Sequence, residues 1–483
     1  MKVKKLSGFI GLALFGVVVN GQVRQPHSLY FMNTIPQVTQ MNPALQPRAN
    51  GYVVLAGINA DYFNDIAMKD AFQKHGNKWY TPIEKQYDYN KLYKSIGKKA
   101  AMINSGTDVD FLHFGFRTGN GYFTFGLSEH ITGNSALPTD LFKISENGFP
   151  EGTKLDFSPL HAQSMAYMQA LIGYSGKVNN RLTIGVNVKP LFGQLALATK
   201  TDKFKLHTGE EKWDLDAKGN VYSSLPADEI VTDSEGRIYD IIERNFDDYK
   251  AKDWINDYAF TNPGIAFDFG AVYQINERLS VSASLNNLGF ISWKNDLNSI
   301  SFDGKYTFNG LYFDASSDDD FGDLFKNLGD SILNAMNYEI RHDKFKTPLT
   351  PVFHAAATYQ LSKSVSAGFL SRTVFWEQGV RQSFNASFNL QPYSFVSFNA
   401  GATYQVKGGA YLGGGFTILL GPLQIYLLAD YLPIYYSTFQ ADDGDKISYF
   451  PERLRTETIR FGVNLIFGKH GYTNKPMLDN GAR

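Results

Sequence analysis

Along most of this chain apolar and polar positions alternate every second residue, the period of a β-strand rather than of a helix. Residues 264–285 show it most plainly. Ile265, Phe267, Phe269, Ala271, Tyr273 and Ile275 form one row, and Gly264, Ala266, Asp268, Gly270, Val272 and Gln274 the other. After Asn276-Glu277-Arg278 the alternation restarts, with Leu279, Val281, Ala283 and Leu285 set against Ser280, Ser282, Ser284 and Asn286. The pattern predicts a hairpin with one greasy and one small-polar face. It recurs at 353–361, 364–372, 384–391, 396–405 and 458–468. At 108–130 it flanks a turn at 118–121, with Leu112, Phe114, Phe116, Phe123, Phe125 and Leu127 in the apolar row.

The connections decide what these strands build. Short turns are predicted near 118–121, 176–180, 276–278, 362–364, 391–393 and 421–422. Long connections fall near 64–107, 132–160, 208–260, 290–351 and 438–454. With 181–206 taken as one strand despite Pro190, the count closes at fourteen, short turns on one side and long segments on the other. A transmembrane barrel has this asymmetry and an even strand number. A soluble sandwich would need a second layer over each greasy face, and the helical segments look too small to supply it. The opposite rows carry Ser, Asn, Gly, Thr and Gln rather than Lys and Glu, which suits a narrow lumen. Closure also removes the unpaired edges that so many apolar strands would expose. The expected fold is all-β, a transmembrane antiparallel β-barrel of about fourteen strands with long extracellular loops.

Two loop stretches have helical spacing, 64–76 and 320–337. In the second, Phe321, Leu324, Phe325, Leu328, Ile332 and Met336 recur at three to four residues. The plain reading is an amphipathic helix capping the barrel mouth, and the sharper one a helix that docks a partner or gates a ligand. Residues 300–309 are expected to form a small strand in the same segment.

Composition narrows the picture. Net charge is −1, so nothing electrostatic argues for nucleic acid. There is no cysteine, which excludes disulfides, thiolate metal sites, a cysteine nucleophile and a lipid-modified N-terminal cysteine. Lys2, Lys4 and Lys5 precede an uncharged apolar run at 6–19, and Val19-Asn20-Gly21 precedes Gln22. That order predicts a cleaved signal peptide over 1–21 and export to the outer membrane of a Gram-negative bacterium.

Catalytic templates are missing: no Gly-x-Ser-x-Gly, no His-Glu-x-x-His and no Walker-type loop. The chain reads as a non-enzyme without cofactor or metal. GGAYLGGG (408–415) reads as a tight turn leading into a closely packed strand. The acidic stretches 317–323 and 442–445 lack the spacing of a calcium loop and read as solvated surface. His113 and His354 fall on lumen rows without a local partner. Lys189, Asp268, Arg372, Asp430 and Arg460 also point inward on this register. A charge inside must be paired or wet, so these five either line a pore, brace a stopper or form structural ion pairs. Trp293, Trp376, Tyr431, Tyr435 and Tyr436, near outer strand ends, are expected in an aromatic girdle.

The segment SLYFMNTIPQVTQMNPALQP (28–47) resembles the opening of an uncharacterised domain-of-unknown-function family of outer-membrane barrels from bacteria with type IX secretion. Leu29, Tyr30, Phe31, Met32, Pro36, Asn42, Pro43, Ala44 and Pro47 carry the likeness, which extends through the hairpin above to residues 413–432. More distantly, 262–293 is similar to a segment of long-chain fatty-acid transporter (FadL-like) barrels and of the type IX barrel PorV. Those families plug a fourteen-stranded barrel with the N-terminal segment. By resemblance, residues 22–50 with Asn42 and Pro43 are expected to form a plug; the alternation sets 51–468 as the barrel, and the polar stretch 469–483 reads as a periplasmic tail.

Three functions follow as expectations. The first is passage or uptake of small hydrophobic molecules, which related barrels perform and which needs an apolar cavity or a continuous pore. The second is a non-transporting barrel that docks or shuttles secreted or surface proteins, with a blocked lumen and ordered outer loops. The third, an enzyme in a barrel, has no template. The expected partners are outer-membrane lipid and either a small hydrophobic ligand or a secreted protein, and no nucleic acid.

Overall fold

In a computed structural model, residues 25–468 are described except 76–77, 81–85, 97–98, 226, 233–237, 244–249, 251, 254–260, 310–338, 378, 441–446 and 453–454. Fourteen strands close into one antiparallel barrel: β1 Gly51–Asn64, β2 Ala100–Thr118, β3 Gly121–Pro138, β4 His161–Lys177, β5 Leu182–Thr208, β6 Asn262–Gln274, β7 Leu279–Trp293, β8 Val352–Ser362, β9 Val365–Trp376, β10 Gly379–Tyr393, β11 Val396–Gln405, β12 Gly409–Leu420, β13 Leu423–Leu432 and β14 Thr456–Phe467. Each pairs with its neighbours in sequence, and β14 returns to β1, from Gly51 opposite Phe467 to Phe63 opposite Thr456. No edge of the barrel wall is left open.

The greasy rows face outward. Phe269, Phe369, Phe388, Phe398 and Phe461 are all exposed on the outer surface. Their polar neighbours Asp268, Asn399 and Arg460 are buried inside. In water such a belt would be an aggregation surface. In hydrocarbon it is the expected coat of a barrel.

Strands run past the membrane on the long-loop side. β5 has 27 residues, which at about 3.3 Å per residue reaches roughly 90 Å, far more than the ~10 residues that cross the hydrocarbon. Its outer half pairs with Lys212–Ser224, which pairs in turn with Leu297–Asn309. This outer ribbon has its own small core of Ile144, Leu155, Phe157, Leu206, Trp213 and Leu215. The strand at 297–309 is thus longer than the stretch the alternation marked, and β2 begins at Ala100, well inside the predicted loop.

Two expectations need correction. The helix expected over 64–76 is a single turn, Met68–Ala71, followed by a short strand Gln73–His75. A helix this short gains too few hydrogen bonds to hold against competing contacts. Here Gln73 is tied to the Asp88 backbone, donating to its carbonyl at 2.8 Å and accepting from its N–H at 2.9 Å. The aromatic girdle also fails at Trp293, Trp376 and Tyr431, which are 0%, 6% and 1% exposed. A bulge with positive φ at Asn287 inverts the phase of β7, so Ile291 and Trp293 turn inward. Trp293 donates to Thr347 Oγ1 at 2.8 Å, and Trp376 packs on Phe63 inside the mouth. Tyr431, at φ 64°, follows Asp430 into the lumen. Only Tyr435 and Tyr436 of the five are exposed.

Candidate functional site: a plugged lumen

Fourteen strands enclose more space than their own side chains fill. Residues 25–50 occupy it, and none of them is exposed. The segment is a chain of short turns. Pro26 leads into a one-turn helix, His27–Tyr30, and Pro36 opens a 3-10 turn, Pro36–Gln40, where its missing N–H costs nothing. Asn42 then folds the chain on itself, its side-chain oxygen accepting from Ala44 N–H at 2.9 Å. Its amide nitrogen donates to Tyr30 Oη at 3.0 Å and to the Ala283 carbonyl of β7 at 3.2 Å. Burial raises the Tyr30 phenol pKa above its ordinary value, against its hydrogen bonds to Ser282 and Asn42, so it stays protonated.

The wall makes room for this segment by omitting side chains. A Cβ on Gly270 would lie 2.0 Å from Asn42 Oδ1, one on Gly185 2.4 Å from the Pro43 carbonyl carbon, and one on Gly368 2.4 Å from the Phe31 ring. Asn42 and Pro43 therefore sit where β5 and β6 are bare. Leu29, Phe31, Met32, Ile35 and Met41 form an apolar cluster with Ala356, Leu370, Tyr426 and Leu428 of the wall.

Polar tethers surround that cluster. Ser28 N–H donates to Asp430 at 3.0 Å. Gln37 donates to Asn464 at 2.8 Å, Asn464 to Gln424 at 2.9 Å, and Gln424 to the Thr34 carbonyl at 2.8 Å. Ser284 and Asn286 donate to the Met41 and Gln40 carbonyls at 2.8 and 2.9 Å. At the rim of the short turns Arg117 grips Gln46 and the Pro47 carbonyl at 2.6 and 2.7 Å.

Four of the five inward charges fall into two groups. Lys189 and Asp268 pair at 2.6 Å on adjacent strands, and Asn287 completes the knot, accepting from Lys189 at 2.9 Å and donating its N–H to Asp268 at 2.8 Å. Arg372 and Arg460 converge on Gln25, the first on its carbonyl and the second on its side chain. Arg460 also pairs with Asp110 at 2.7 Å, while Gln25 donates to Asp108 at 2.9 Å. Asp430 stands apart and holds Ser28. Phe321, Leu324, Phe325 and Leu328 lie outside the described residues, as do both acidic stretches.

Sequence reasoning missed Asp108, Asp110 and His130, which joins Asp108 at 2.5 Å. A signal was present: Asp108 and Asp110 are two apart on a strand and so share its inner face. The bulge after Asp110, which leaves both Phe111 and Leu112 exposed, shows in no residue type. Gln25 and the three wall glycines carried no signal at all. Among the described residues no group of His, Asp or Glu is arranged to hold a metal ion.

The chain is similar to several solved structures. The toluene transporter TbuX of Ralstonia pickettii matches at TM-score 0.42 and 9% identity over 94% of this chain and 100% of its own. A FadL homologue of Pseudomonas aeruginosa matches at TM-score 0.42 and 10% identity over 93% and 100%. The toluene transporter TodX of P. putida matches at 0.41 and 10% over 94% and 100%. No curated protein matches the sequence. A family model does, across residues 43–430, from Pro43 in the plug to Asp430 in the lumen, and by that match the chain belongs to a family of unknown function (DUF5723).

Proposed function

We propose that this transmembrane barrel resides in the outer membrane and passes small molecules, hydrophobic ones among them, with the N-terminal segment as its gate. One observation carries the reading. The plug is not woven into the wall: among the described residues its one backbone–backbone bond to a strand is Arg117 N–H to the Asn50 carbonyl, at 2.7 Å, at its base. Every other tether is made through a side chain. The barrel's own ladder closes without the plug, so the plug can leave its seat while the wall stays intact. An apolar solute entering the vacated space would meet Leu370, Leu428 and Tyr426 among polar neighbours.

A bilayer experiment tests this. The intact protein should be nearly silent in planar bilayers. A variant lacking residues 26–48 should conduct steadily and admit a hydrophobic fluorescent probe into liposomes. A deletion variant that migrates as a folded barrel on unheated gels yet stays silent would overturn the proposal.

The outer ribbon favours a second reading, in which the blocked barrel docks secreted or surface proteins. Its three strands and separate core stand outside the membrane, where a pore alone needs no such structure. The type IX link implied by the opening motif belongs to this reading. Silence of the deletion variant together with co-purification of one surface protein would favour it.

A further inference from the structure

Away from the lumen, two outer loops build a basic cleft. The segment after β1 and the segment before β14 meet at the rim around an open cleft of about 490 Å³, the size of a small-molecule site. Lys69, Lys74, Lys91, Lys94 and Arg455 line it against two carboxylates, Asp70 and Glu452, in a protein whose net charge is −1. Arg455 is engaged with Asp70 at 3.2 Å, and Lys91 reaches Asp88 only at 3.9 Å. Lys69 and Lys94 have no anionic partner among the described residues, and both are exposed to the cleft.

The frame behind these lysines is fastened. Lys69 N–H donates to the Glu452 carbonyl at 3.0 Å, joining the two loops. Arg455 donates to the Lys407 carbonyl at 3.0 Å. Tyr87 donates to the Asp70 carbonyl, and Gln73 clasps Asp88, the N-cap of the helix Tyr89–Ser95 that presents Lys91 and Lys94. Like charges are thus held together by a scaffold that does not itself need them close, an arrangement that favours an anion.

The height of the cleft identifies the source. Glu452 N–H donates to the Tyr435 carbonyl at 3.1 Å, so the lining adjoins Tyr435 and Tyr436, which are 52% and 55% exposed on the outer surface. Exposed tyrosines on a barrel mark the headgroup level. Phosphate groups of outer-leaflet glycolipid lie at that level. We infer that this rim cleft binds phosphorylated sugars and is filled in the membrane by the phosphate-bearing headgroup of a glycolipid. The inference is independent of whether the lumen passes solutes.

The full chain in nanodiscs free of glycolipid, titrated with diphosphoryl lipid A, supplies the test. The triple variant Lys69→Gln, Lys91→Gln, Lys94→Gln should bind on the order of 100-fold more weakly at low salt. Lys94→Gln alone should lose about fivefold, which keeps the question answerable if the triple variant folds poorly. A charge-matched control, Lys200→Gln, Lys212→Gln, Lys305→Gln on the outer ribbon, should bind as the wild type does. Dephosphorylated lipid A should bind neither protein. Glucosamine 1-phosphate, free in solution, should compete weakly; if it binds as tightly as the lipid, the chemistry stands and the source is soluble. An unchanged Lys94→Gln and triple variant, an equal loss in the control, or equal binding of the dephosphorylated lipid would sink the inference.

Discussion

The two faces of one strand behave as different materials. On β9, Phe369 looks into lipid with its ring stacked 6.2 Å from that of Phe384, while Arg372, three residues on, reaches across the lumen to Gln25. Outward side chains each make a separate transfer into hydrocarbon. Inward ones form a network in which strands far apart in sequence share one partner: β2, β9 and β14 all reach Gln25. Replacements on the first face should therefore add, and those on the second should couple.

The sharpest break in that comparison is Arg460→Leu. It leaves Asp110 buried without its cation, which should cost about 3–5 kcal/mol. Adding Asp110→Asn should recover most of the loss, measured by urea unfolding in lipid vesicles. If the double variant is as unstable as the sum of the singles, the lumen is not a coupled network. Next is Phe369→Arg, five residues into the twelve of β9, with an expected cost of about 2–4 kcal/mol. Combined with Phe461→Arg on β14, five strands away, it should add to within ~0.5 kcal/mol in the same unfolding assay.

A smaller effect is expected at Asn42→Ala, about 1–3 kcal/mol. It removes the partner of Tyr30, Ala283 and Ala44 together. The loss should appear as more frequent channel openings in planar bilayers, with the barrel's unfolding midpoint little changed. Smallest of all is a labelling pair with almost no effect on stability. Cysteine at Phe398, which is exposed, should react with a membrane-confined probe, and cysteine at the buried Asn399 should not. Equal labelling would mean that the two faces are not distinct at all.

Much of the barrel was legible in the sequence because the period of two is local. Each residue's side is set by its immediate neighbours, and a strand crossing from lipid to lumen shows both solvents in its own composition. Even the single long strand through Pro190 could be read, since strand parity has to close. Three of the misreadings share one cause. Asn287, Tyr431 and the bulge after Asp110 each shift the phase by one residue, and nothing in the identity of those residues announces it.

The candidate site was legible only as an inward row of charges. That Lys189 meets Asp268 depends on which strands are adjacent, and that Arg372 and Arg460 meet at Gln25 depends on a segment threaded back into the lumen. The alternation along the chain determined that this protein is a closed ribbon with an oily outside and a polar inside, because hydrocarbon and water sort side chains at each position independently. The tertiary structure alone decided which polar groups satisfy one another, where glycines give way to Pro43 and Phe31, and which lysines crowd the rim. Those pairings join residues up to 435 positions apart, and no local pattern encodes a contact across a closed cylinder.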